Sequence, residues 1–370
     1  MIVLLRPGFV EIALYRPDDG IRPIGVPEVW FRLVARCLVH KAKNRVKTYL
    51  GSIQLGVGVP TATESIIHKI SSIISVWDDD APTRLLQLDV RNAFNSISRQ
   101  SIWEQVHVVI PDLERWFLWA YGQPAPMFPD EAVDHVIWAT AGVIQGDPLG
   151  PLFFALGQQK VLLQIQGLLP EFSIWYLDDG VLVASEAWLQ SHWAQICEAY
   201  RMIGLEVNPK KCLLFGGTAT CNTLNLPQHP LTAGIVLLGT PLGSASHIDA
   251  TLNNHYLRLE GLLRLLPNLR CKQVEFGILR YCLGPSKILH LHPHPSSCSD
   301  VCVVRSSGST TFLHVGNTGR GAYTSCCMGS SHSSSAKRWL RAGTCRRHSS
   351  PSLHGFLSAS CVLQSPGRSN

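Results

Sequence analysis

The sequence predicts an α+β fold in three parts: a mixed unit over residues 1–245, a small helical unit over 246–290, and a disordered tail over 291–370. Three observations lead there. Residues 1–245 alternate short apolar runs with amphipathic helical stretches. Within them, Ser173-Ile174-Trp175-Tyr176 and Val181-Leu182-Val183-Ala184 flank Asp178-Asp179-Gly180, the pattern of an antiparallel hairpin closed by a tight turn. After residue 290 neither helical nor strand periodicity continues: 19 of the last 80 residues are serine and Asp300 is the one acid.

A chain of 370 residues allows two or three domains, and 46% apolar residues are enough for a substantial core. The net charge of +6 is unevenly placed. Eight of the 32 basic residues follow position 290, leaving 24 basic against 25 acidic residues before it. Nucleic-acid binding by residues 1–290 must therefore rest on local patches. No apolar run approaches the ~20 residues of a membrane helix, and Ile2–Leu5 is too short for a secretory leader. Six scattered cysteines before residue 291 (Cys37, Cys197, Cys212, Cys221, Cys271, Cys282) form no Cys-x-x-Cys pair. They are expected to be reduced, mostly buried thiols of an intracellular protein.

Taken in order, Arg32, Arg36, His40, Lys43 and Lys47 recur every three to four residues. On a helix they form a basic stripe that either follows a phosphate backbone or is simply a solvated face. Arg84–Val90 is a strand-like run ending at Asp89. Trp116, Trp119 and Tyr121 suit core packing better than base stacking. Gly142–Pro151 is a loop fixed by Gly and Pro, able to set its backbone against a flat ligand with the Gln145 amide presented, and Pro151 suits the first turn of the helix behind it. Leu189, Trp193, Ile196, Tyr200 and Ile203 share one face of a helix over 187–203, which Gly204 ends. Leu252, Tyr256, Leu259, Leu263 and Leu266 repeat that spacing before Pro267-Asn268. The tail reads as a basic nucleic-acid-binding arm, a disordered extension, or sequence translated out of frame. Its cysteines and histidines do not match a zinc spacing.

Turn chemistry alone can account for Asp178 and Asp179. A carboxylate such as Asp89 at the end of a buried strand, however, needs its charge compensated, and a metal ion would do so. If that strand lies beside the 173–184 hairpin, Asp89 and Asp178 can share two divalent cations for in-line phosphoryl transfer, and hard oxygen ligands suit Mg²⁺.

Leu88-Asp89 with Ala93-Phe94-Asn95, Gln145-Gly146-Asp147-Pro148-Leu149 with Pro151, and Tyr176-Leu177-Asp178-Asp179 together resemble the A, B and C motifs of reverse transcriptases of the non-long-terminal-repeat retrotransposon branch. Arg16 to Gly20 with Arg22-Pro23-Ile24 resembles that family's fingers hairpin. Gly204-Leu205 with Asn208 and Lys211 resembles motif D, and Leu238-Gly239 motif E. Thumb-like sequence runs through Arg280–Pro285 and Lys287–His290 and stops at the Ser-rich tail, as a reading-frame shift would make it. Gly150 stands where the family usually has serine.

The resemblance implies a right-hand polymerase: fingers and palm to residue 245, then a partial thumb over 246–290. It implies Asp89 and Asp178 as metal ligands with Asp179 as third acid, two Mg²⁺ ions with Mn²⁺ as an alternative, and Phe94 as the steric gate against the ribose 2′-hydroxyl. Gln145 and Gly146 would lie by the incoming nucleotide, Arg16 and Arg22 would reach its triphosphate, and Lys211 the leaving pyrophosphate. The implied partners are an RNA template, a DNA primer and deoxynucleoside triphosphates, with no membrane. Because the chain begins inside the fingers, endonuclease activity is expected from an absent domain or another protein, and the setting is the nucleus or a cytoplasmic nucleoprotein particle. The alternatives are a catalytically decayed nucleic-acid-binding remnant and, set against Phe94 and Leu177, an RNA-dependent RNA polymerase.

Overall fold

The computed structural model describes residues 8–15, 21–78, 81–129, 136–217, 224–269, 271–283, 301–306, 309–317 and 322–329. The chain opens with an antiparallel hairpin, β1 (Phe9–Tyr15) and β2 (Ile21–Pro27), in which Leu14 pairs with Arg22. The expected fingers hairpin is thus present, while Arg16 and the rest of 16–20 lie outside the described residues. The basic run is helical, α1 (Val29–Leu50). Phe31, Ala35, Ala42, Val46 and Leu50 form its buried face, leaving Arg36, His40 and Lys47 exposed with Arg32 and Lys43 half-buried. α2 (Ala62–Ile74) follows, buried through Ile66, Ile67 and Ile70.

Next come β3 (Thr83–Leu88), β4 (Val90–Arg91), the single turn α3 (Ala93–Ser96), α4 (Arg99–Val109) and α5 (Glu114–Tyr121). Trp116 and Trp119 pack with Phe31, ring centroids 5.1 and 5.8 Å away, so these aromatics serve the core as expected. β5 (Ala125–Pro129) and β6 (Ile137–Ala139) extend the first hairpin into a sheet of order β2-β1-β5-β6. α6 (Gly150–Gly167) carries a proline in its first turn and buries Leu152 to Leu156 without a gap. A helical stretch apolar on every side belongs in the middle of a core, and the later turns of α6 reach solvent, at residues such as Lys160, Gln164 and Gln166.

β7 (Phe172–Tyr176) and β8 (Asp179–Ser185) form the expected hairpin around a two-residue loop, Leu177-Asp178. α7 (Glu186–Met202) matches the predicted helix within a residue at each end. The Ser185 hydroxyl caps it by accepting from the Trp188 N–H, and Gly204 takes φ +76° behind it. β9 (Glu206–Val207), β10 (Leu213–Phe215) and β11 (Gln228–His229) lead to a small hairpin, β12 (Ile235–Leu237) and β13 (Thr240–Leu242). Its turn residues Leu238 and Gly239 both sit at positive φ. Two helices complete this part, α8 (Ala245–Leu265), halted by a 3₁₀ turn at Leu266–Asn268, and α9 (Lys272–Tyr281). The thumb-like residues Gly284, Pro285 and 287–290 lie outside the described residues.

The central sheet has the order β11-β10-β3-β8-β7. Its two middle strands alternate: Leu86, Leu88, Leu182 and Ala184 join the large core that also holds α6. Leu85, Val181 and Val183 face the other way, in a cluster with Ile66, Ile67 and Ile70 of α2 and Ile235, Leu237 and Leu242. With both faces covered, the sheet fixes the ends of β3 and β8 rigidly.

Two expectations need correction. Gly180 is not a turn residue: it lies in β8, and a Cβ there would strike the Trp175 indole. The left-handed position of the turn belongs instead to Leu177, at φ +55°. The five described cysteines among these six are unpaired but not mostly buried: Cys37, Cys271 and Cys282 are exposed, Cys197 is intermediate and Cys212 is buried, while Cys221 lies outside the described residues. The helix carrying Cys37 and the slender α8–α9 pair offer too little cover. Within the tail, three short stretches are extended. The chain divides into two compact units, the second comprising residues 299–316 and 322–370. It contains β14 (Val301–Ser306), β15 (Ser309–Asn317) and β16 (Ala322–Gly329) in one sheet of that order. Val301 pairs with His314 and Cys302 with Leu313. Runs such as Val303-Val304 and Thr310-Thr311-Phe312 favour extended backbone, a local signal hidden by the serine content of the whole tail.

Candidate active site

The register of the central sheet sets the acids. Leu88 pairs with Gly180 and Tyr176 with Asp179. One step beyond the Leu88–Gly180 pair, Asp89 just past the end of β3 comes beside Asp179 at the start of β8, with Asp178 in the adjoining turn. All three line a cleft of about 870 Å³. Its other walls include Pro23 of β2, Phe94, Gln145 and Gly146 of the 142–150 loop, and Asn208 and Lys211. Residues expected from four separate motifs therefore meet in one space. Arg22 sits in β2 next to Pro23.

Asp89 is held from behind. The Asn208 carboxamide donates to Asp89 Oδ2 at 3.1 Å and the Asn208 N–H to the Asp89 carbonyl at 2.8 Å. The Asp89 N–H donates to Cys212 Sγ at 3.3 Å. Burial pushes the Cys212 thiol up to about 11, so it is protonated at neutral pH. The Asp179 side opens onto the cleft, yet the surrounding protein, followed by the charges of Asp178 and Asp89, pushes its carboxyl up to about 6. Three like charges in one place are unfavourable until a cation compensates them.

Among the described residues no three His, Cys, Asp or Glu side chains form a ready ion cage. The donor set is nevertheless oxygen-rich and anionic. That fits a hard cation of the Mg²⁺ type, which is normally held by one or two carboxylates, waters and substrate phosphates instead of a full protein shell.

The loop wall is built by close backbone approach. Gly146 has φ +120°, and a Cβ on it would strike the Gly25 carbonyl. The Gly25 N–H donates to the Gln145 carbonyl at 2.8 Å. The glycine expected to face a ligand thus also locks the loop to β2. Phe94 stacks on Phe154 at 4.5 Å and 17°, and its carbonyl accepts from the Val143 N–H at 2.7 Å. Behind the loop, Tyr121 O–H donates to Asp147 Oδ2 at 2.6 Å, and Arg99 donates to the carbonyls of Tyr121, Gln123, Ala139, Ala141 and Gly142. Neither Tyr121–Asp147 nor Arg99 was legible as site support, because their partners are distant in sequence. For Cys212, adjacency to Lys211 was the available signal.

A family model described as reverse transcriptase (RNA-dependent DNA polymerase) matches residues 15–231. The retrotransposable element SLACS 132 kDa protein of Trypanosoma brucei gambiense is 31% identical over 204 residues, covering 54% of this chain. The chain spans 17% of that relative's length. Among solved structures, apo telomerase from Candida tropicalis, truncated from its C-terminal domain, aligns with TM-score 0.44 and 11% identity over 60% of this chain and 52% of that one. Telomerase from Candida albicans in complex with the TWJ fragment of telomeric RNA aligns with TM-score 0.47 and 12% identity over 77% and 52%.

Proposed function

The chain belongs to the reverse transcriptase family, and from that premise we propose that it adds deoxynucleotides to a DNA primer on an RNA template. The observation that carries this reading is the meeting of Asp89, Asp178, Asp179, Phe94, Gln145, Gly146 and Lys211 around one cleft.

Asp89 and Asp178 are the residues that would hold divalent cations, with Asp179 as the third acid. When bound, such ions neutralise charge on the attacking hydroxyl and on the phosphate oxygens of an in-line transfer. Asn208 keeps the Asp89 carboxylate in one orientation. Gln145 and Gly146 form the wall against which the incoming base lies. Phe94 fills the volume that a 2′-hydroxyl would need. Lys211 supplies positive charge and a proton to the departing pyrophosphate. Arg22, with Arg16, is assigned to the triphosphate by resemblance. The exposed basic residues of α1 supply a surface for a phosphate backbone, although Lys41 and Arg45 on the same helix are paired with Asp112 at 2.9 and 3.0 Å.

The test is extension of a DNA primer on an RNA template with Mg²⁺ and deoxynucleotides, comparing the chain with Asp178→Asn. Extension by the chain and none by the variant is expected. Equal incorporation by both rejects the assignment, and template binding without extension by either supports the decayed remnant.

A further inference from the structure

We propose that Gln54 is a positioning residue for the acid turn: its buried carboxamide holds Leu177 in the left-handed conformation and thereby sets the place of Asp178. The inference rests on the polymerase reading of the cleft and adds to it a residue that belongs to none of the motifs described above.

Gln54 is completely buried and lies between Ile53 and Leu55, on a segment that follows α1 and runs alongside β7. The Leu55 N–H donates to the Trp175 carbonyl at 2.8 Å, and the Trp175 N–H to the Ile53 carbonyl at 2.7 Å. This brings the Gln54 side chain under the turn. Its Nε2 donates to the Leu177 carbonyl at 3.0 Å and to Gln158 Oε1 at 3.2 Å. Its Oε1 accepts from the N–H groups of Leu177 at 2.8 Å and Gly56 at 2.9 Å. Two donors and two lone pairs are the full capacity of a carboxamide, and all are used. One side chain thus satisfies both backbone polar groups of Leu177.

Leu177 needs such a hold. A residue with a side chain enters positive φ only at a cost, and glycine is the usual occupant. Here Leu177 stands at φ +55° immediately before Asp178. The approach also requires Gly56, because a Cβ there would lie 2.6 Å from Leu177 Cγ and 2.8 Å from its nitrogen. Gln158 is anchored in turn, donating to the Tyr200 hydroxyl at 3.5 Å, and the Trp175 indole N–H donates to that hydroxyl at 2.9 Å. Gln54, Gln158, Trp175 and Tyr200 are all fully buried. A buried polar chain of this kind is costly unless every member is satisfied, and this one ends on the backbone that carries Asp178.

The experiment uses the full chain as wild type, Gln54→Ala, Gln54→Ala with Leu177→Gly, and Gln159→Ala. Gln159 is the control: it is also buried in α6, donates to the Leu50 carbonyl at 3.3 Å, and among the described residues forms no hydrogen bond with the turn. Mn²⁺ binding is followed by electron paramagnetic resonance, single-nucleotide incorporation gives kcat, and hydrogen exchange is read across residues 173–183. Gln54→Ala is expected to weaken Mn²⁺ binding and kcat by about tenfold or more, since small displacements of reacting groups are costly. It should also speed exchange in 173–183, while Gln159→Ala leaves all three near wild type. Leu177→Gly should recover at least about threefold of kcat in the Gln54→Ala background, because glycine takes positive φ unaided.

Wild-type Mn²⁺ affinity and kcat in Gln54→Ala, or no recovery with Leu177→Gly, would overturn the inference. If the wild type neither extends a primer nor loses Mn²⁺ binding on Asp178→Asn, the polymerase reading fails separately. Hydrogen exchange then decides: equal rates in Gln54→Ala and Gln159→Ala mean that Gln54 does not hold the turn.

Discussion

Tyr121 donates its hydroxyl proton to Asp147 Oδ2 at 2.6 Å in a place where Tyr121 is 1% and Asp147 2% exposed. The other carboxylate oxygen accepts from the Leu149 N–H at 2.9 Å. Asp147 thus folds the loop bearing Gln145 and Gly146 back onto the core and into the start of α6.

That relationship makes stability depend on pH. Burial pushes the Asp147 carboxyl from 3.8 up to about 6, against the pull of the Tyr121 and Leu149 hydrogen bonds. Folding therefore favours its protonated form. The contribution is fully present below pH 3.8 and declines as pH rises through about 6. The rise from 3.8 to about 6 corresponds to about 3 kcal/mol. Urea unfolding from pH 4 to 7.5 should show the wild type losing stability relative to Asp147→Asn by about that amount. Parallel curves for the two proteins would contradict the assignment.

The Asn208–Asp89 hydrogen bond leads to a second expectation. Asn208→Ala removes a neutral donor from a carboxylate, an interaction worth roughly 1.5–3 kcal/mol. If it matters fully in the transition state, incorporation should fall about ten- to a hundredfold, with little change in affinity for the template–primer. Single-turnover primer extension measures this directly. An unchanged rate would mean that Asp89 is oriented without Asn208.

What the sequence made legible was chemistry at the ends of regular elements. Asp89 closes an apolar strand, Asp178 and Asp179 sit between two more, and Leu189, Ile196 and Tyr200 mark a helix face through spacing alone. What stayed hidden depends on pairing across distance. Gln54 reads as one polar residue among apolar neighbours until it is found against Leu177, 123 residues later. Gly180 reads as a turn residue because Asp-Gly is a common turn pair, whereas its reason is the Trp175 ring. Arg84 opens a strand-like run with no local sign of a buried charge, yet it is 6% exposed and paired.

Arg84 Nη2 meets Glu186 Oε2 at 3.4 Å, and its guanidinium also donates to the carbonyls of Ala81 and Thr83. Removing one partner of a buried pair strands the other charge. Arg84→Ala should therefore destabilise the chain by about 3–5 kcal/mol, and Arg84→Met combined with Glu186→Leu by much less. Urea midpoints of the two variants decide this, and equal losses would place the effect in packing instead of charge.

Gly146 and Gly150 flank the same loop but differ in what surrounds them. Ala at 146 would collide with the Gly25 carbonyl and occupy φ +120°. A loss of roughly 1–3 kcal/mol is expected from the overlap, together with impaired incorporation. At Gly150 the nearest atom to an added Cβ is the Ile144 carbonyl oxygen at 3.2 Å, and the position begins α6. Gly150→Ala should change stability by no more than about 1 kcal/mol, with helix propensity in its favour. Thermal unfolding and primer extension of the two variants separate these outcomes.

Phe94 is braced in the cleft wall, and as the gate proposed above it would select by shape. Its ring lies nearly flat on Phe154, 4.5 Å between centroids, and its carbonyl accepts from the Val143 N–H, so the backbone is fixed and the side chain cannot swing out of the cleft wall without giving up the ring stack. A rigid obstacle discriminates because overlap with the wrong substrate cannot be relieved cheaply. Phe94→Ala should therefore raise ribonucleotide relative to deoxynucleotide incorporation by at least about tenfold, a difference of ~1.4 kcal/mol. The measured quantity is the ratio of kcat/KM for the two nucleotides on the same primed RNA template. A falling rate with both nucleotides and an unchanged ratio would show that Phe94 only supports the wall, and the gate would then have to be sought elsewhere in the cleft.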